Sequence, residues 1–315
     1  MSALAVITGT THGIGRVTSR ELARAGRRVL MLCRDLDAAG LVAAEIEARV
    51  PGADVQALGC DLASLASVRA CARQIRERFG PIGLLINNAG MVSMRHRRSP
   101  DGFELTFASN HLGPFLLTQL LLPQLAPQAR IVNVASRIHR RGRLELDRIT
   151  RAHAGYRPGA AYARSKLANV LFTFALARRL AGSGITCNCL HPGVVASHLL
   201  PAWLRMVKPL LSPEIVDVER GALTTLHVAL SADLAGVSGR YFDDQQRDVS
   251  AAAPCYDEAL QEQLWGVSAR WVGIEDAEKA QQAATPGRPS TRQPEPLPAS
   301  SEHAPSGPPA GGCAN

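Results

Sequence analysis

A doubly wound α/β fold, built on a parallel seven-stranded sheet with helices on both faces, is predicted by three features of this 315-residue sequence. Short apolar runs alternate with longer amphipathic stretches along most of the chain. Most of those runs are continuously apolar rather than alternating, as strands covered on both faces must be. The first run ends in a glycine-rich turn that opens at once into a helical pattern, the context in which such a turn binds a dinucleotide.

The elements follow in order. "LAVITG" (4–9) reads as the first strand and the pattern at 14–25 as the first helix. "RRVLMLC" (27–33) and "DVQALGC" (54–60) are the next strands, separated by a helix at 36–49 and followed by one at 65–79. "GLLINNA" (83–89), a helix near 101–122, "ARIVNVAS" (129–136) and a helix near 159–182 continue the alternation. "GITCNCLH" (184–191), a helix near 219–231 and "GRYF" (239–242) complete it. Such an order implies right-handed crossovers, with ligands beyond the carboxyl ends of the strands.

The folded unit spans residues 1–278 as one domain, because the composition changes after it. Residues 279–315 are rich in Pro, Ser, Ala and Gly and have no apolar periodicity, so they read as a disordered tail. The first ten residues lack the basic and long apolar regions of a signal peptide, and no run of 18 apolar residues suggests a membrane span. The seven cysteines are scattered and odd in number, which fits reduced buried thiols, a cytoplasmic location and no metal site. Net charge is +8, with basic clusters at 95–98 and 137–143. These lack interleaved aromatics, so solvated loops or an anionic small molecule fit better than nucleic acid.

Three local patterns carry chemistry. Gly9, Thr11, Gly13, Ile14 and Gly15 lie in "TGTTHGIG", where glycine allows close backbone approach and a helix N-terminus offers free N–H groups to a phosphate. At the end of the second strand Cys33 is followed by Arg34, whose guanidinium suits a 2′-phosphate and so favours NADP (NADPH) over NAD. Asp35 is an acid that could still reach a ribose, and both charges could simply be loop residues. In "YARSK", Tyr162 and Lys166 are one helical turn apart: either a surface pair, or a phenol whose pKa an ammonium lowers.

Taken together with "NNAG" (87–90), Asn110 in "SNHLGPF", Ser136 in "IVNVAS" and "HPGVV" (191–195), these patterns resemble the short-chain dehydrogenase/reductase family over about residues 3–275. "CRD", "NHLGPFLLT" and "SKLANVLF" are most similar to retinol dehydrogenase-like and WW-domain-oxidoreductase-like members. The resemblance implies a Rossmann domain and an oxidoreductase acting on CH–OH groups. It makes Tyr162 the general acid or base, with Lys166 lowering its pKa and binding the nicotinamide ribose. Ser136 holds the substrate oxygen and Asn110 completes a proton relay. It also places Asp61 and Leu62 at the adenine, Asn88, Ala89 and Gly90 on the adenosine side, and Pro192, Gly193 and Val195 beside the nicotinamide, with Ser197 replacing the usual threonine. A non-catalytic NADPH-binding regulator on the same fold is the alternative. Residues 197–218 carry Leu199, Leu200, Trp203, Leu204, Met206, Val207, Leu210 and Leu211 at near-helical spacing. They either cover a cleft for a lipophilic alcohol or carbonyl, or pack on the domain or a second copy in a homo-oligomer.

Overall fold

The computed structural model describes residues 3–151, 155–195 and 215–274, with the backbone alone at 194–195 and 215–216. Seven parallel strands form one sheet: β1 (Leu4–Thr8), β2 (Val29–Cys33), β3 (Val55–Gly59), β4 (Ile82–Asn87), β5 (Leu125–Val134), β6 (Thr186–Leu190) and, after a second pair, β9 (Tyr241–Phe242). Their spatial order is β3-β2-β1-β4-β5-β6-β9, and the order reverses between β1 and β4. That switch point leaves a crevice beyond the carboxyl ends of the two strands. The second pair, β7 (Val194–Val195) with β8 (Ile215–Val216), was not legible in the sequence.

Both faces of the sheet are dry, which is why the strand sequences do not alternate. Along β2, Leu30 and Leu32 join one core cluster while Val29, Met31 and Cys33 join the other. In β1, Leu4 and Val6 face the first cluster and Ala5 and Ile7 the second. Each fully buried aliphatic side chain of this kind stabilises the fold by roughly 1.5–3 kcal/mol. At the edge, β3 is covered only in part, and its Gln56 is exposed.

The helices are α1 (Gly13–Arg24), α2 (Leu36–Arg49), α3 (Leu65–Arg78), α4 (Leu105–Phe107), α5 (Gly113–Leu121), α6 (Asp147–Thr150), α7 (Pro158–Arg179), α8 (Val218–Leu230) and α9 (Glu258–Val272). Two departures from the sequence reading bear on the site. The helix expected at 101–122 begins only at Leu105 and is interrupted by a π-turn, Ala108–Leu112. The sequence reading had no helix at α9, because its inner face buries Gln261 and Ser268 beside Leu264 and Trp265, and those polar residues break the apolar period. Residues 197–214 and the tail beyond 274 lie outside the described residues, as do the cleft-covering and disorder readings that fall on them.

Candidate active site

The glycine turn and the "NNAG" segment interlock at the switch point. Gly9 has φ +72°, and a Cβ there would lie 2.8 Å from the Ala89 Cα. A Cβ on Gly15 would lie 2.1 Å from the Gly9 carbonyl oxygen, so only glycine fits. Asn88 donates from Nδ2 to the carbonyls of Thr8 (2.8 Å) and Gly9 (3.0 Å). The Thr8 hydroxyl accepts from the Asn88 and Ala89 N–H groups, both at 3.0 Å. The ends of β1 and β4 are thereby fixed to each other.

This region fits a dinucleotide. His12, the N-cap of α1, makes no side-chain cap hydrogen bond, and the first turn has no acid, so its N–H groups remain available to an anion. Thr11 and Ile14 are half-buried beside them. The Thr10 hydroxyl is buried without a partner among the described residues. Beyond β2, Arg34 is exposed, whereas Asp35 is the N-cap of α2 and accepts from Ala38 N at 2.9 Å. The cap thus gives Asp35 a structural task that its sequence position alone did not reveal. Asp61 is half-buried after β3 and accepts from Ala63 N at 3.0 Å, and Leu62 is buried against Gly113.

Four segments deliver the remaining candidates to the adjoining strand ends. Asn110, in the π-turn, is fully buried; π-turns recur where a helix must re-aim a functional side chain. Its Oδ1 accepts from Met91 N at 2.8 Å, while Nδ2 donates to Met91 O (2.9 Å) and Ser165 Oγ (3.0 Å). Three of its side-chain hydrogen-bonding positions are therefore occupied by the scaffold. Gly90 packs beside Lys166, and a Cβ there would stand 3.4 Å from Nζ. Ser136 caps the 3₁₀ turn Arg137–Arg141 just past β5, accepting from Ile138 N at 3.4 Å, and its side chain is near enough to Tyr162 to act on the phenol.

Lys166 settles the choice left open for the tyrosine–lysine pair. It is 2% exposed, so this is no surface pair. Its ammonium donates to Val134 O at 2.7 Å and stands 5.7 Å from the centre of the Tyr162 ring. Burial lowers its pKa to about 8. Tyr162 departs from expectation: burial pushes its phenol up to about 12, offset in part by the neighbouring Ser136 side chain. In the protein alone, desolvation is the largest influence on the phenol.

At the nicotinamide-side turn Gly193 adopts φ +81° and donates its N–H to His191 Nδ1 at 3.2 Å. Pro192 is half-buried. Val195 is described by its backbone in β7 alone, and Ser197 lies outside the described residues. Sequence reasoning missed Ser165, whose hydroxyl accepts from Asn110 and donates to Tyr162 O at 2.8 Å. Its place inside "YARSK" was the available signal.

Comparison with known proteins agrees with this geometry. The family model described as short chain dehydrogenase matches residues 3–207. Retinol dehydrogenase 13 of Homo sapiens is 40% identical over 289 residues, covering 86% of this chain and 84% of that protein. Dehydrogenase/reductase SDR family member 13 of Bos taurus is 41% identical over 286 residues, covering 88% of this chain and 75% of that protein. Among solved structures, an uncharacterized protein from Mycobacterium Paratuberculosis aligns with TM-score 0.71 and 34% identity over 87% of this chain and 94% of its own. A blue fluorescent protein from a metagenomic library, in complex with NADPH, aligns with TM-score 0.63 and 28% identity over 76% of this chain and 95% of its own. With fold, motif order and relatives in agreement, this chain belongs to the short-chain dehydrogenase family of oxidoreductases, which interconvert alcohols and carbonyls.

Proposed function

We propose that this chain is an NADP-dependent oxidoreductase that interconverts a lipophilic alcohol and its aldehyde or ketone. The observation that carries the reading is the meeting of Asn110, Ser136, Tyr162 and Lys166 at the strand ends, two of them half-buried and two buried. The half-buried pair, Ser136 and Tyr162, is placed to touch substrate. Ser136 Oγ donates a hydrogen bond to the substrate oxygen, stabilising charge as it develops there. Tyr162 Oη gives its proton to that oxygen during reduction and takes it back during oxidation. The nicotinamide, when bound, supplies or accepts the hydride. Lys166 holds the phenol's surroundings positive, and Asn110 keeps Met91 and Ser165 in register around it.

NADP is favoured because Arg34 is exposed where a 2′-phosphate would lie, while Asp35 is engaged in capping α2. The turn at Gly9, Gly13 and Gly15 holds the pyrophosphate, with Asp61, Leu62, Asn88, Ala89 and Gly90 lining the adenosine side. Cys33, Cys60, Cys71, Cys187, Cys189 and Cys255 are free, buried thiols, which fits a cytoplasmic, reducing setting. A lipophilic substrate is supported by the apolar residues at 199–211 and by the retinol dehydrogenase relatives.

The test is NADPH and NADH oxidation by wild type and Arg34→Ala on aliphatic and isoprenoid aldehydes of increasing length. Catalytic efficiency rises with length, by up to about 0.8 kcal/mol for each buried methylene. Arg34→Ala weakens NADPH by about 1.5–3 kcal/mol and leaves NADH nearly unchanged. A flat length series removes the lipophilic substrate, equal cofactor losses remove the 2′-phosphate role, and NADPH binding without turnover favours the regulatory alternative.

A further inference from the structure

His139 lies three residues after Ser136 and is fully buried. Its hydrogen-bond partners determine its tautomer. Nδ1 is 2.8 Å from the Ser136 carbonyl oxygen, which can only accept, so Nδ1 carries the proton. Nε2 is 3.1 Å from Ala252 N, which can only donate, so Nε2 is bare and accepts. Burial holds the imidazole neutral, lowering its pKa to about 4. The same Ser136 carbonyl also accepts from the His139 backbone N–H at 3.0 Å. Tyr241 of β9 stacks edge-on against the ring with centroids 4.8 Å apart and blocks its sideways movement.

The far partner belongs to a strap fastened at several points. Val249 N donates to Tyr241 O at 3.0 Å, Ala251 N donates to the Tyr256 hydroxyl at 3.0 Å, and Arg140 donates to Ser250 O. We infer that neutral His139 is a positioning residue for the reaction centre, clamping the Ser136 backbone to the 249–252 strap so that the Ser136 hydroxyl keeps its place against Tyr162. The inference rests on the reading of Ser136 as the group that holds the substrate oxygen. Ser136 itself lies at the start of a short 3₁₀ turn, and His139 ties that turn to a distant part of the chain. Through this clamp a segment more than a hundred residues away in sequence would hold Ser136 in place.

Two isosteric substitutions separate the two hydrogen bonds. His139→Asn places an amide N–H where Nδ1 stands and loses the Ala252 contact; His139→Gln places its amide oxygen near Nε2 and loses the Ser136 contact. Each removes one hydrogen bond, so their melting temperatures should fall together. Turnover should not. His139→Gln, and His139→Ala, which removes both bonds, should lose roughly ten- to a hundredfold in kcat, with the KM for NADPH little changed, whereas Asn recovers most of the kcat. Equal kcat losses in the Asn and Gln variants, in step with their melting temperatures, would overturn the proposal. ¹⁵N NMR of the wild-type histidines provides a readout without turnover: an Nδ1–H tautomer for His139 is expected, and an Nε2–H tautomer would sink the clamp. An inactive wild type with the Nδ1–H signature would defeat the functional reading while leaving the hydrogen bond in place.

Discussion

A buried lysine is an unusual choice for a protein, since it trades stability for a charge in the right place, and Lys166 makes that trade measurable. Its folded pKa of about 8 lies below the ordinary value of 10.5, so between those values the unfolded chain holds a proton that the native chain has released. Stability from this residue therefore rises as pH climbs from about 8 to 10.5, and is lost as pH falls through about 8. Cysteines 33, 60, 187, 189 and 255 and Tyr162 are shifted upward and act in the opposite sense at higher pH, so the difference between two proteins is the informative quantity. Denaturant titrations at pH 7.5 and 9.5 should show wild type gaining stability relative to Lys166→Met, with turnover abolished in the variant. Parallel pH responses would mean that Lys166 is not buried as an ammonium. The same residue shows what a sequence withholds. Spacing put Lys166 beside Tyr162, but only burial shows that the ammonium and the phenol are both desolvated, and that the phenol is driven up rather than down.

Among the elements, the glycine turn is where local chemistry and packing agree most closely. Gly13 and Gly15 look equivalent in "HGIG", yet they are constrained differently. Gly13 has φ +61° and open space around its Cβ position, so alanine there fits at a backbone cost of roughly 1–2 kcal/mol. Gly15 has ordinary φ but no room, because a Cβ would collide with the Gly9 carbonyl and, at 2.5 Å, with Asn88 Nδ2. Gly15→Ala should therefore push apart the β1 and β4 ends and weaken NADPH binding far more than Gly13→Ala, measured by titration calorimetry. Similar losses for the two would show that backbone conformation, not the interlock with Asn88, governs the turn. The seven strands of the main sheet and this turn were legible because their residues obey a local rule: apolar runs for buried strands, glycine where backbones meet. The π-turn was not, since nothing in "ASNHL" distinguishes an i→i+5 turn from the α-helix around it. Nor was α9, whose Ser268 hydroxyl meets His111 Nε2 at 2.9 Å, a pairing 157 residues apart in sequence.

At the scale of the whole molecule, the C-terminal part of the fold closes over the helix that carries Tyr162. Trp265 of α9 packs edge-on against Phe115 at 5.2 Å and lies tilted on Phe172 at 5.8 Å, with the Arg179 guanidinium 3.9 Å from its ring centre. The helix then stops in a defined way. Gly273 takes the left-handed conformation at φ 68°, its N–H and that of Ile274 return to the carbonyls of Arg270 and Ala269, and Arg69 donates to Val272 O. These are the bonds of a completed helix C-cap, so residues beyond it are not needed to end the helix. We accordingly propose that residues beyond 278 add little to the stability of the domain. A chain ending at 278 should melt within the roughly 2–4 °C that 1 kcal/mol represents for a domain of this size, and keep its NADPH turnover. Trp265→Ala, which empties a buried ring site worth about 3–5 kcal/mol, should lower the melting temperature several times further. Calorimetric scans of the full chain, the shortened chain and the tryptophan variant compare the two directly. A shortened chain that melts as early as the tryptophan variant would place part of the folding energy beyond α9, and the tail would then belong to the domain.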